Sequence, residues 1–141
     1  MTLIDMPGTV ASDLRADTAL LAEFGGKVFA DVAPAGTEPP FAVVRNNGAG
    51  RPFEAPTWDR ISVLIDCVGD PDDIPEHTRL TGLLRAAVEG MRGRTIDGVV
   101  VQHVEPIDLV FGYDPTFTPA LPRWVLATSM VVRSNREGVV A

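Results

Sequence analysis

Between residues 57 and 91, TWDRISVLIDCVGDPDDIPEHTRLTGLLRAAVEGM, the spacing of apolar positions changes from one period to another. Ile61, Val63, Ile65 and Cys67 alternate with Arg60, Ser62 and Asp66, and only Leu64 breaks the alternation. A period of two is that of a half-buried strand. Beyond Gly69, the residues Leu80, Leu83, Leu84, Ala87, Val88 and Met91 recur at helical spacing. At about 100° per residue they form a stripe roughly 140° wide, opposite Arg85, Glu89 and Arg92. The pattern predicts one strand feeding one amphipathic helix packed on the sheet that holds the strand. Asp73 is the expected N-cap, with Pro75 in the first turn and Glu76 at the third position of a capping box. Asp70 and Asp72 add negative charge at the positive end of the helix.

The flanking segments fall into place around this pair. A first helix is expected between about Thr9 and Phe24, capped by Ser12 or Thr9. Val10, Leu14, Leu20, Leu21 and Phe24 are its apolar positions, with a restart at Asp17 and a stop at Gly25-Gly26. KVFADV (27–32) and FAVVR (41–45) read as strands separated by a proline-rich loop. Asn46 to Pro56 is a turn-rich connection longer than a tight hairpin needs, and long connections are commonly functional. Gly90 and Gly93 end the second helix, and Asp97-Gly98 marks a turn. VVVQHVE (99–105) is a strand broken at Pro106, and residues 107–113 continue it. RWVLATSMVVR (123–133) is apolar on both faces and is expected at the centre of the sheet. The fold class is therefore α+β: a mostly antiparallel sheet of about five strands with two helices on one face. Residues 1–141 are read as a single domain, with 1–8 as an N-terminal arm and 134–141 as a flexible tail.

Composition sharpens this in two respects. An apolar fraction of 45% over 141 residues is that of a globular chain able to bury a core. It contains no apolar run of about 20 residues for a membrane span, and its first residues lack the pattern of a secretory leader. A net charge of −7 with a single lysine, Lys27, argues against duplex binding as the main function, because that requires clustered cations. The one cysteine, Cys67, lies on the apolar side of its strand and reads as a buried free thiol.

Candidate chemistry adds little. Gly48-Ala49-Gly50 lacks the Lys-Ser/Thr of a phosphate loop. His77 falls beside the apolar stripe and reads as a packing residue. His103 and Glu105 share a strand face and form the one pairing that resembles a base with its orienting carboxylate. Cys67, His77 and His103 lack the spacing of a zinc site. Asp66, Asp70, Asp72 and Asp73 read as a helix start rather than a metal cluster, and no serine has the context of a nucleophile. No catalytic residue, cofactor or metal is expected.

The order and wording of the segments do carry a resemblance. DTALLAEFGGKVFADVAP, PPFAVVR, DRISVLIDCVGDPDDIPEHTRLTGLLRAAVEGM, VVVQHVEPIDLVFGYDP and RWVLATSMVVRSN together resemble the tail terminator (tail completion) proteins of long-tailed, non-contractile bacteriophages. The likeness spans about Asp17 to Asn135. It implies a structural protein of the virion, not an enzyme, located at the head-proximal end of the tail and in the host cytoplasm during assembly. Its implied partners are further copies of itself in a hexameric ring, the major tail tube protein and the head-tail connector or stopper. Genome DNA would pass through the lumen without specific binding, and no membrane is involved. An acidic wall would keep DNA from adhering. Interface residues are expected at Asn46, Arg51, Phe53 and Trp58, from the long loop and its exit, and at Tyr113 and Phe117, before the last strand. Two other readings stand beside this one: another neck or head-completion protein, and a small oligomeric α+β enzyme or ligand-binding module using His103 and Glu105.

Overall fold

The computed structural model describes residues 2–47, 53–55 and 58–134. In chain order the elements are β1 (Thr2–Ile4), α1 (Met6–Ala16), α2 (Thr18–Phe24), β2 (Val28–Ala30), β3 (Phe41–Asn46), β4 (Phe53–Ala55), β5 (Trp58–Val68), α3 (Ile74–Glu89), β6 (Arg94–Ile96), β7 (Val99–Val104), β8 (Asp108–Asp114) and β9 (Leu121–Ser134). Seven strands form one sheet in the order β2-β3-β5-β9-β7-β6, with β8 also paired to β9. β1 and β4 form a separate two-stranded ribbon.

The α+β class stands, but the sheet is larger than expected and mixed, and the described residues form three helices rather than two. β2 and β3 run parallel, because the proline-rich 31–40 segment carries the chain back before β3 begins. The restart at Asp17 makes a true second helix: its side chain accepts from Ala19 N and Leu20 N at 3.0 and 3.1 Å. The first helix begins earlier than Thr9 or Ser12 would allow. Asp5 caps it by accepting from Gly8 N at 3.2 Å, so the helix starts inside the segment expected as an arm. Leu21, assigned to the apolar face, is half exposed, since the break at Asp17 leaves α2 only Leu20 and Phe24 to bury.

β5 and β9 form the spine, paired over eleven positions from Trp58↔Arg133 to Val68↔Arg123. Ile61, Val63, Ile65 and Cys67 face the helices and lie opposite Met130, Thr128, Leu126 and Trp124. Met6, Val10 and Leu14 of α1, Leu20 and Phe24 of α2, and Leu80, Leu84 and Val88 of α3 close over that face. The central place expected for residues 123–133 follows from β9 having β5 on one side and β7 and β8 on the other. The opposite face stays largely open. It is covered at one end, where Phe41, Val43 and Val68 pack with Phe29, Phe117 and Leu121.

α3 starts as expected, with Asp73 accepting from Glu76 N at 3.1 Å. Only half of the capping box forms, because the Glu76 carboxylate turns to Arg79. Gly82 sits exposed in the middle of α3, and a Cβ built there meets nothing within 4 Å. Gly82→Ala is therefore expected to stabilise the fold by about 0.5–1 kcal/mol through lost unfolded-state entropy. Urea unfolding checks this: the midpoint rises with an unchanged slope.

Candidate functional site

The residues expected at an interface are spread along the β5–β9 spine, with Trp58 at one end and Tyr113 at the other. Trp58 opens β5 and is 48% exposed, with the Arg133 guanidinium 5.6 Å from its ring centre. Asn46 closes β3 opposite Val63 and is half-buried. Phe53 opens β4 and pairs with Ile4, while Arg51 lies outside the described residues. At the far end, Tyr113 belongs to strand β8 and is 56% exposed. Phe117 is not an exposed loop residue: its ring packs 6.0 Å from Phe41 and joins the small cluster on the outer face.

Sequence reasoning passed over the rest of β8. Leu109, Val110 and Phe111 are all exposed, so this one strand holds four of the seven large exposed apolar residues among the described residues. Tyr113 meets Phe111 edge-on at 5.7 Å, and Phe111 meets Trp124 at 5.0 Å, so the exposed rings are held by the core. Three consecutive apolar residues after Pro106 were the available signal, because a strand with apolar side chains on both faces must be covered on both. Trp58 and Tyr113 are separated by the run of β9 from Arg133 to Pro122, roughly 36 Å at strand rise.

On the open face of the sheet, polar pairs bridge neighbouring strands. Arg45 of β3 holds Asp66 of β5 through two bonds at 2.9 and 3.1 Å. The hydrogen bond to Asp66 raises the Arg45 pKa. Ser62 meets Ser129 at 2.8 Å, and Arg60 pairs with Glu105. Leu64, the exception in the β5 alternation, lies half-buried on this face opposite Ala127.

The groups considered for chemistry are engaged elsewhere. The Glu105 carboxylate pairs with Arg60, and His103 stands at a register shift in β7 opposite Val131. Asp73 caps α3, Asp70 accepts from Asp72 N at 2.9 Å, and Asp66 belongs to Arg45 on the outer face. Among the described residues no group of three or more His, Cys, Asp or Glu converges as a metal site. Cys67 is fully buried, and burial pushes its thiol up to about 11.

His77 is the buried packing residue that the stripe implied. Its Nε2 lies 2.7 Å from the Cys67 carbonyl, which fixes the proton on Nε2 and leaves Nδ1 unprotonated without a partner. Burial lowers its pKa from 6.5. The unfolded chain therefore takes up a proton at a pH where the folded chain refuses it. The stability that neutral His77 allows above about pH 6.5 is expected to be lost as pH falls toward the lower folded value. Urea unfolding at a series of pH values tests this. The slope just below 6.5 disappears in His77→Gln, and an unchanged slope would contradict the assignment.

No family model matches the sequence, and no curated protein matches it significantly. The fold is similar to that of a chain from the virion of a native gene transfer agent particle, with a TM-score of 0.62 at 14% identity. The match covers 92% of this chain and 96% of that one.

Proposed function

We propose that this chain is a structural protein of a phage-like virion: a tail terminator that forms a ring on the head-proximal end of the tail tube. The ring stops tube polymerisation and offers its other surface to the head connector. The observation that carries this reading is the end-to-end similarity of fold to a chain of a gene transfer agent virion. Two properties of the molecule agree with it. Exposed apolar residues stand at opposite ends of the spine, Trp58 at one and β8 at the other. Patches so placed favour head-to-tail contacts, which close into rings. The pairing of Glu105 with Arg60, and the burial of His77 and Cys67, leave the work to surfaces. The net charge of −7 agrees with a ring whose bore repels DNA and lets it pass without sticking.

Electron microscopy of tubes grown from the tail tube protein in the presence of this chain tests the reading. The expected result is a six-fold ring of this chain at one end of each tube, around an acidic lumen. Bare ends on tubes that otherwise form normally would contradict it.

A further inference from the structure

The two outer edges of the sheet are treated differently. On the β2 side the edge is blunted from within. Arg15 Nη1 donates to Val28 O at 2.7 Å, Val28 N donates to Gly26 O at 2.9 Å, and Val32 N donates to Ala30 O at 2.8 Å. β6 is three residues long with Arg94 and Thr95 exposed, a common protection for an edge. β8 is seven residues long and apolar, and among the described residues no strand pairs with its outer side.

The backbone groups on that outer side can be identified. In an antiparallel strand the N–H and C=O of one residue point the same way, and successive residues alternate. Pro122 O accepts from Gly69 N on the β5 side, whereas Ser129 O accepts from Glu105 N on the β7 side. Arg123, Val125 and Ala127 therefore bond toward β8, where they oppose Gly112, Val110 and Asp108. Leu109, Phe111 and Tyr113 are left to direct their N–H and C=O groups outward. These three residues are 36%, 38% and 56% exposed. A row of free donors and acceptors flanked by apolar side chains takes an extended chain as an added strand.

We propose that β8 receives the β1–β4 ribbon of a second copy of this chain, an inference that rests on the ring reading above. Pairing of β8 with another β8 antiparallel about Phe111 sets Asp108 opposite Asp114 at both ends, and like charges directly opposed are destabilising. A continuous sheet through β2 is excluded by the bonds that occupy its edge. The ribbon is the remaining unfinished strand pair: three residues per strand, outside the main sheet, too small to be stable alone. It precedes Trp58, at the Arg133 end of β9, whereas β8 spans the Leu121 to Ala127 end. The six strand rises from Ala127 to Arg133 span on the order of 20 Å, so the ribbon is out of reach of its own β8 and open to a neighbour's. A donor at one end and an acceptor at the other make a head-to-tail contact.

Hydrogen exchange on dilute and concentrated full-length protein, with native mass measurement, tests this. The amides of Leu109, Phe111 and Tyr113 are expected to exchange freely in dilute monomer and to become protected on assembly, while those of Val110 and Gly112 are protected in both. Tyr113→Pro removes one outward N–H and none of the bonds to β9, so it should fold normally and assemble at least roughly tenfold more weakly. Leu3→Pro, which interrupts the ribbon, should do the same. A mixture of the two variants should yield a two-chain complex that grows no further, because one retains the acceptor edge and the other the donor. Three results overturn the proposal: edge amides already protected in the monomer, assembly undiminished in Tyr113→Pro, or no pairing in the mixture. If the chain assembles with a free β8, only this contact fails. If it stays monomeric even on tail tubes, the ring reading fails with it.

Discussion

Gly69→Ala is expected to lower the unfolding free energy by about 3 kcal/mol and the melting temperature by roughly 10 °C. Gly69 follows β5 and is buried, with its N–H donating to Pro122 O at 3.0 Å. A Cβ built there lies 2.7 Å from His77 Cβ and also collides with the imidazole ring. The ring has no retreat. It is buried, its Nε2 is held by the Cys67 carbonyl, and the backbone carbonyl of His77 accepts from Thr81 Oγ1 at 2.9 Å. Relief has to come from α3 moving off the end of β5. Chemical denaturation of Gly69→Ala, His77→Ala and the double variant checks this as a cycle. The two losses should fall short of additive by about 1–2 kcal/mol, because removing the imidazole makes room for the new methyl group. Additive losses would place the strain elsewhere.

Leu84→Ala is expected to cost about 3 kcal/mol, within the 2–5 kcal/mol range of such truncations. Leu84 is fully buried at the middle of α3, within the cluster that joins this helix to β5 and β9. Truncation there removes apolar contact and leaves a cavity that the sheet beneath cannot fill. Leu83, one residue earlier on the same apolar stripe, is only half-buried. Leu83→Ala should cost less than half as much. Equal losses at the two positions would contradict the described orientation of α3. Both variants should leave ring assembly intact at temperatures where they remain folded, since neither contributes to β8 or the β1–β4 ribbon.

Much of this arrangement was legible in the sequence where the pattern ran long enough. The β5 alternation and the α3 stripe each repeat several times, and both faces appear as the spacing implied. The Asp97-Gly98 turn was legible from glycine chemistry, and both residues take positive φ, 51° and 78°. The same Asp-x-Pro wording opens two helices, at Asp5 and at Asp73. Only the one at Asp73 was legible, although proline in a first turn displaces no intrahelical bond at either position. β1, β4 and β6 have three residues each, too few to show any period. The parallel β2–β3 pairing depends on how a ten-residue loop turns back, which local spacing does not encode.

Exposure of the candidate interface residues was legible in part for a related reason. Trp58 and Tyr113 stood out as large aromatic residues near chain breaks, and both are exposed. Phe117 shared that description but is drawn inward by Phe41 and Phe29, aromatic partners distant in sequence. The free edge of β8 left no local mark at all. An edge is defined by the strand that is missing beside it, which only the order of the whole sheet reveals.

A tail terminator ends the growth of a tail tube. The most direct measurement is the length distribution of tubes polymerised from the tail tube protein with increasing amounts of this chain. The expected result is a dose-dependent shortening that saturates when each tube carries one ring, with no change in tube diameter. An unchanged length distribution, with the chain left in the unbound fraction, would contradict it.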